Sequence, residues 1–330
     1  MKKINKCIMA NTRIIRACMV VVFCVSAGNL MAQSLSVKDT LAKKDTTVKR
    51  PSIAQDTTTA APVVKKKSFT KNTFDGNYII DNQTVMVPIK GTLEFDIQHR
   101  FGAVDHGFKD LFGLFASATM KLGFSYTPVN NLQVGFDATN EKMEVDWNLK
   151  YALLKQTRDN TLPFSVTLYG NAMMDTRAKD NTTLFVSTSD RFSYFYQLIV
   201  ARKFSENFSL QIAPSLAHFN NLPGYLDAAG TVQQIYKNDN FLIATSARYK
   251  ISEGSSIIVN YDQPITQNPA NNPRPDISFG IEMRTSGHDF EIFFGNYSSL
   301  MPQNNVLFNQ NNFRTGQFVL GFNISRLWNF

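Results

Sequence analysis

The final thirteen residues of the chain alternate between apolar positions and positions that are mostly small or polar. Because successive side chains of a β-strand point to opposite faces, this pattern predicts a strand with one apolar and one wet face. Such a strand is typical of a membrane β-barrel, whose outer surface meets lipid and whose interior is polar. The apolar set, in which Arg326 is the exception, is Phe318, Leu320, Phe322, Ile324, Arg326, Trp328 and Phe330.

The same period of two recurs from Lys90 onward and predicts twelve strands. In the fourth of these, Val145 and Trp147 share one face, while Asp146 and Asn148 share the other. Most of the segments reach the roughly 9–11 residues that a tilted strand needs to cross a membrane. The predicted strands are Lys90–Phe101, Phe115–Thr127, Asn131–Asn140, Met143–Gln156, Leu162–Thr176, Arg191–Phe204, Asn207–Phe219, Asn240–Ile251, Ser255–Ile265, Asp276–Thr285, Asp289–Tyr297 and Phe313–Arg326.

The connections between the predicted strands alternate in length, short turns such as Ser205-Glu206 following long ones such as Arg177–Asp190. Membrane barrels place short turns in the periplasm and long loops outside, and an even strand number returns both chain ends to the periplasm. A soluble β-sandwich shows similar alternation, but 27 Phe and 11 Tyr, with charges gathered on one strand face, favour the membrane protein. The predicted fold is all-β: a transmembrane antiparallel up-and-down β-barrel of about 12 strands, with a disordered N-terminal leader.

The residues before the predicted barrel divide into three segments. Residues 1–32 have the basic start, short apolar core and small residues of a cleaved signal peptide for export. Residues 33–68 lack aromatic residues and are expected to form a disordered periplasmic leader. Residues 69–89 contain two short apolar runs and either strap the periplasmic rim or enter the lumen as a plug. The barrel itself is assigned to residues 90–330.

Charge and cysteine content narrow the possible functions. Of the formal net charge of +8, residues 1–32 contribute +5 and residues 33–68 another +5, which leaves −2 for residues 69–330. The predicted barrel therefore has no basic excess that would indicate nucleic-acid binding. Cys7, Cys18 and Cys24 all lie in the predicted signal peptide, so the exported chain would have no thiol for disulfides, catalysis or metal binding.

Charged residues of both signs fall on the inward face of the predicted strands. Charge on a lipid-facing surface is costly, so we expect these side chains to line the lumen. One interpretation is a polar pore whose charges tune selectivity; the other is a salt-bridged interior that fills the barrel and conducts nothing. The candidate lumen-lining residues are Glu94, Asp96, Arg100, Lys121, Asp137, Glu144, Asp146, Lys150, Arg248, Lys250, Asp262, Glu282, Arg284 and Glu291.

No catalytic, cofactor-binding or metal-binding residue is predicted. Asp105-His106 has no further ligand at metal-binding spacing. Ser286-Gly287-His288, followed by Asp289, brings a hydroxyl, an imidazole and a carboxylate together, but a polar turn explains the same residues. The loops Asn220–Asp239 and Ser298–Asn312 are rich in Asn and Gln and are expected to be solvated.

A series of short motifs points to a family. It runs through His99-Arg100-Phe101-Gly102, Gly107–Gly113, Met120–Tyr126 and Leu149–Gln156. This series resembles an uncharacterised family of outer-membrane β-barrels from Bacteroidota, domain of unknown function 5777. The resemblance covers about residues 70–330 and implies a barrel, without implying a substrate or catalytic residues.

Together these observations favour an outer-membrane β-barrel for porin-like, passive or selective passage of small solutes through a charged lumen. The alternative is a closed structural or docking barrel that binds a partner through its loops or leader, and a more remote one is an outer-membrane hydrolase. Outer-membrane lipid and the barrel-assembly machinery, which would engage the last strand ending at Phe330, are the expected partners. No nucleic acid is expected to bind.

Overall fold

The computed structural model describes residues 68–179 and 185–330, and twelve of its strands close into an antiparallel barrel. Each of these strands pairs with its neighbours along the chain, and the last pairs with the first, with Ile324 opposite Ile97. Closure leaves no unpaired strand edge, which a sheet surrounded by lipid requires. The predicted up-and-down barrel is therefore confirmed. Residues 1–67, which hold the predicted signal peptide and nearly all of the predicted leader, lie outside the described residues.

The barrel strands match the predicted ones in number and order. Two further hairpins and one short α-helix lie between or before them. The barrel strands are β3 Thr92–Ala103, β4 Thr119–Val129, β5 Leu132–Thr139, β6 Glu144–Leu154, β7 Ser165–Asp175, β8 Phe192–Lys203, β9 Phe208–Phe219, β12 Asp239–Ser252, β13 Ser255–Pro264, β14 Asp276–Arg284, β15 His288–Gly295 and β16 Val319–Asn329. The other elements are β1 Tyr78–Ile79, β2 Asn82–Gln83, β10 Gly224–Leu226, β11 Val232–Gln234, α1 Pro302–Phe308 and 3-10 helices at Val104–Lys109, Glu141–Met143, Thr188–Arg191 and Phe313–Thr315.

The predicted start of the last strand, Phe313, is wrong. Phe313–Thr315 form a 3-10 turn that ends at Gly316, whose φ of +78° places it in the left-handed region that glycine tolerates best. The chain becomes extended only at Val319. Phe115 is likewise too early for the second strand, which begins at Thr119, because the preceding loop turns with positive φ at Leu111 and Phe112.

The strands separate apolar from polar side chains as the period of two predicts. On β16, Phe322 and Ile324 face outward, whereas Asn323 and Ser325 are buried inside. The other strands follow the same alternation, with Trp147 exposed on the outer surface of β6 beside the inward Asp146, although some inward positions on β8, β9 and β15 are apolar. A lipid-facing exterior and a polar interior follow from this division.

Connections of different length separate the two ends of the barrel. The short-turn end carries residues 130–131, 155–164, 204–207, 253–254 and 285–287. The long-loop end carries residues 104–118, 140–143, 176–179, 185–191, 220–238, 265–275 and 296–318. Both the start of β3 and the end of β16 lie at the short-turn end, where Phe330 N donates to Gly91 O at 3.2 Å.

None of the helices among residues 68–179 and 185–330 is both long and apolar enough to span a membrane.

Candidate functional site

Residues 69–89, here called the plug, enter the barrel from the short-turn end. Phe69 forms a β-bridge with Thr157, and Thr70 N donates to Gln156 O at 2.8 Å. Beyond this point Phe74, Ile79 and Ile80 are at most 1% exposed and join the buried apolar cluster inside the barrel. Of the two placements that the sequence left open, the segment adopts the one inside the lumen.

The plug is held by side chains of the barrel wall. Its hairpin, β1 with β2, pairs with no barrel strand. Instead, Asn260 Nδ2 donates to Ile79 O at 2.6 Å, and Ile80 N donates to Glu291 Oε2 at 3.0 Å. Gln211 Nε2 donates to Gln83 O at 2.7 Å. Because no sheet hydrogen bond joins the plug hairpin to the barrel, the hairpin can leave without opening the barrel's own sheet.

Ion pairs fasten the plug at the short-turn end. The Asp75 carboxylate contacts both Arg248 and Arg284, and its Oδ1 lies 2.5 Å from Arg284 Nη1. Arg248 also donates to Glu282 through Nε at 2.5 Å. Deeper in the barrel, Lys150 Nζ donates to Asn77 O at 3.1 Å. The plug therefore supplies partners to wall charges that would otherwise face an empty lumen.

A second element, α1, fills the lumen near the long-loop end. Gln303 Nε2 donates to Asn171 Oδ1 at 2.6 Å, and Asn304 Nδ2 donates to both Glu144 oxygens at 3.1 and 2.9 Å. Phe308 packs edge-on against Phe219 and Tyr236, with ring centroids 5.7 and 5.3 Å apart. The expectation that Ser298–Asn312 is a solvated loop is therefore wrong, because its amides bind the inward polar residues of the wall.

The loop Asn220–Asp239 is solvated only in part. Its hairpin, β10 with β11, is mainly exposed, and Tyr225 is 50% exposed. Tyr236, by contrast, is buried against Phe308 and accepts a hydrogen bond from Asn271 at 2.8 Å.

Replacing Asn304 by alanine is expected to destabilise the barrel by about 2–3 kcal/mol, because the Glu144 carboxylate would lose two buried donors. The measurement is the midpoint of urea unfolding in lipid vesicles. Asn311→Ala is the matched control, since Asn311 lies in the same loop and only its backbone takes part in the described hydrogen bonds. Equal midpoints for the two variants would contradict the role assigned to α1.

Of the fourteen candidate lumen-lining residues, twelve are buried on the inner face of the barrel, as their positions in the alternation predict. The other two, Lys250 and Arg284, are less buried and border an open cavity at the short-turn end. The wall carries more acidic than basic side chains. Among the described residues, eleven buried carboxylates of the barrel strands stand against the four buried cations Arg100, Lys121, Lys150 and Arg248.

Sequence reasoning missed several charges of the interior. Asp276 and Asp289 share parity with Glu282 and Glu291 on β14 and β15, so the alternation itself could have identified them. Asp75 and Asp81 of the plug lie in no periodic segment, and no pattern in the sequence indicates their partners.

Three carboxylates meet between the plug and the wall. Oxygen atoms of Asp81, Asp262 and Asp276 all lie within 4.8 Å of one another. Carboxylates are ligands for Ca²⁺ and Mg²⁺. Each of the three already accepts a hydrogen bond from a neutral donor. Asp81 accepts from Tyr297 at 2.7 Å, Asp262 from Asn82 at 2.8 Å, and Asp276 from Asn309 at 2.5 Å.

The residues considered for catalysis do not assemble into a triad. His288 points outward, where Arg326 Nη1 lies 2.8 Å from its Nε2, while Asp289 is buried on the opposite face of β15. At the long-loop end, His106 Nδ1 lies 3.1 Å from Asp110 Oδ2, and the backbone N–H of Gly113 lowers the pKa of Asp110. His106 therefore pairs with a carboxylate of its own loop.

A cavity of about 610 Å³ opens at the short-turn end, between the start of the plug and the barrel wall. A second cavity, deeper between the plug and the wall, has a volume of about 10 Å³. The larger of these two cavities forms a vestibule at one mouth of the barrel.

The chain matches a family model described as a membrane-bound β-barrel domain (DUF5777) over residues 74–328. No curated protein gives a significant match.

Among solved structures, the NanC porin is 9% identical with a TM-score of 0.45, over 72% of this chain and 99% of that chain. An outer-membrane channel from Pseudomonas putida F1 is 11% identical with a TM-score of 0.45, over 74% and 97%. The KdgM porin is 8% identical with a TM-score of 0.41, over 71% and 98%.

Proposed function

Since the chain belongs to the family of membrane-bound β-barrel domains (DUF5777), we propose that it forms a gated, porin-like pathway for small solutes. The plug closes the pathway, and its departure toward the short-turn end opens it. The observation that carries the proposal is the character of the wall behind the plug. Every strand of that wall carries buried polar side chains, and nine of the twelve also carry buried charges, as a wall facing water in an open lumen would. An apolar patch that includes Phe195, Ile199 and Ile258 interrupts this polar surface.

The way in which the plug is held supports a reversible gate. Besides the apolar contacts of Phe74, Ile79 and Ile80, the plug makes many separate hydrogen bonds and ion pairs with the wall. Water that enters behind the departing plug can replace each of these contacts. The net free energy of opening is therefore much smaller than the sum of the contacts, because every lost bond is exchanged for one with water.

The chemistry of the lumen indicates the class of solute. With the plug displaced, the excess of carboxylates would face water and ionise, since burial no longer penalises their charged form. A lumen of this charge favours small cations and neutral polar solutes over anions. No step of this proposal involves bond making or breaking, so the protein is proposed to act without catalysis.

A reversible crosslink tests the gate. Asn82 of the plug donates to Asp262 of β13 at 2.8 Å, so Asn82→Cys with Asp262→Cys places two thiols side by side. A short thiol-reactive linker that reductant cleaves would then fix the plug. In planar bilayers we expect brief openings of the unlinked variant, none after linking, and their return after reduction.

The wild-type protein, treated with the same linker, is the control for non-specific effects. Folding is checked by the heat-dependent shift of the barrel in gel electrophoresis. Openings that persist unchanged in the linked protein would show that current does not depend on the plug, and the gating proposal would be abandoned.

The second candidate function is a closed docking barrel, and the filled lumen favours it. The plug and α1 occupy the interior from both ends, as a barrel that only anchors a partner would allow. Bilayer recordings discriminate the two functions. A correctly folded protein that stays silent before linking, after linking and after reduction would favour docking through its loops or leader.

The proposed location is the outer membrane, after export by a cleaved signal peptide within residues 1–32. The apolar outer face of the strands would contact outer-membrane lipid. The last strand, ending at Phe330, is the segment proposed to engage the barrel-assembly machinery.

A further inference from the structure

The cavity at the short-turn end differs in charge from the lumen above it. Seven basic and three acidic side chains line its volume of about 610 Å³, whereas the buried wall carries an excess of carboxylates. A cavity of this size is in the range that holds small ligands. Its charge indicates an anion, and the acidic lumen opposes further passage of that anion.

Several of the basic groups are available to a ligand. Lys203 and Lys250 contact Glu206 and Glu253 only at 3.4 Å, and both glutamates are almost fully exposed, so these ion pairs are weak. The guanidinium of Arg202 lies over the rings of Phe164 and Phe204, at 5.6 and 5.2 Å from their centroids. The two rings fix the position of this guanidinium beside the cavity.

The floor of the cavity already holds one anion, the carboxylate of Asp75. It pairs with both Arg248 and Arg284, and all three side chains line the cavity. Arginine binds phosphate and carboxylate groups through paired N–H donors, so an incoming anion can make the contacts that Asp75 makes now. Asp75 belongs to the plug, and its contacts with the two arginines are the plug's ion pairs at this end.

We propose that this cavity binds a small polyanion bearing phosphate or carboxylate groups, and that the anion competes with Asp75 for Arg248 and Arg284. Binding then weakens the attachment of the plug at the mouth through which it leaves. The inference builds on the proposed gate, for which it names an anionic effector that is distinct from the solute.

Titration calorimetry with inorganic pyrophosphate, and separately with citrate, tests the site in the purified full-length protein in neutral detergent at physiological salt. Arg202→Gln is expected to weaken binding about tenfold, because a charge-assisted contact is lost. Asp75→Asn is expected to strengthen it about tenfold, because the internal competitor loses its charge. Lys109→Gln, an exposed lysine in the loop 104–118, is the matched control and is expected to leave affinity unchanged.

Each outcome decides the proposal. Binding of pyrophosphate alone or citrate alone supports the site and identifies the ligand group, and binding of neither overturns it. Equal weakening by Arg202→Gln and Lys109→Gln would mean general attraction to positive charge, and an unchanged affinity in Asp75→Asn would refute the competition.

A further variant covers the case in which Asp75→Asn fails to fold. Arg284→Gln keeps the Asp75–Arg248 pair and is expected to weaken pyrophosphate binding; unchanged affinity there overturns the proposal. The leader is identical in all variants, so its own charge cancels from the comparison. If the openings persist after the plug is linked while pyrophosphate still binds, the gate is refuted and the anion site stands.

Discussion

Deletion of residues 69–89 is expected to turn a mostly closed protein into one that conducts ions steadily and prefers cations to anions. The deletion removes the apolar residues Phe74, Ile79 and Ile80 from the lumen, together with the backbone groups that hydrogen-bond to the wall. Water would fill the space, because most of the side chains that the exposed wall presents are polar or charged. The hydrated carboxylates of the wall outnumber its cations, and this excess sets the preference for cations.

The helix α1 limits how far this deletion alone opens the lumen. It packs against β8, β9 and β12 and is fastened by Gln303 and Asn304 near the long-loop end. We therefore expect small conductance steps for the plug deletion and larger steps when a Gly-Ser linker also replaces Pro302–Phe308. Replacement of α1 alone is expected to leave the protein closed.

Charge substitutions provide the control for selectivity in the deleted protein. Glu94→Gln and Asp96→Asn remove two carboxylates from one strand and are expected to lower the preference for K⁺ over Cl⁻. Glu206→Gln, on the exposed turn 204–207, is expected to have little effect. If the protein that lacks residues 69–89 and has the linker in place of Pro302–Phe308 folds but passes no current, the barrel has no pathway for ions. The docking function would then be preferred.

Phe322→Arg is expected to reduce the yield of folded barrel far more than Arg326→Ala. Phe322 lies on the outer face of β16 and stacks on His99 with ring centroids 5.0 Å apart. Arginine near the middle of a lipid-facing strand costs about 2–4 kcal/mol, and a cost near this size removes much of a barrel's margin of stability.

Arg326 lies on the same face, but its surroundings offset the charge. It contacts His288 at 2.8 Å and lies 5.0 Å from the ring of Trp328, near the short-turn end, where its side chain can reach the headgroups. Its removal to alanine is therefore expected to change the yield little.

The yield is measured as the heat-modifiable fraction in isolated membranes. Phe322→Leu is the matched control, because it keeps an apolar side chain at the same position. Equal yields for Phe322→Arg and Arg326→Ala would contradict the outward orientation of Phe322.

The sequence by itself determined the barrel. A strand has a period of two, and a membrane barrel must keep its outside apolar and its inside polar, so each strand carries its orientation in its own residues. This rule identified the number and order of the strands and the inward positions of residues such as Glu94 and Asp146. Strand ends were less well determined, because turns such as the one at Gly316 depend on local backbone conformation.

Only the tertiary structure decided what fills the lumen. The partners of Asp75 and Asp81 lie far along the chain, on β12, β13 and β14 and in the loop after β15, and a non-periodic segment gives no sign of such contacts. The Asn and Gln residues of Ser298–Asn312 suit a solvated loop and a polar interior equally well. The closed barrel places inward polar residues opposite both segments. These buried groups require hydrogen-bond partners, and the plug and α1 supply them inside the lumen.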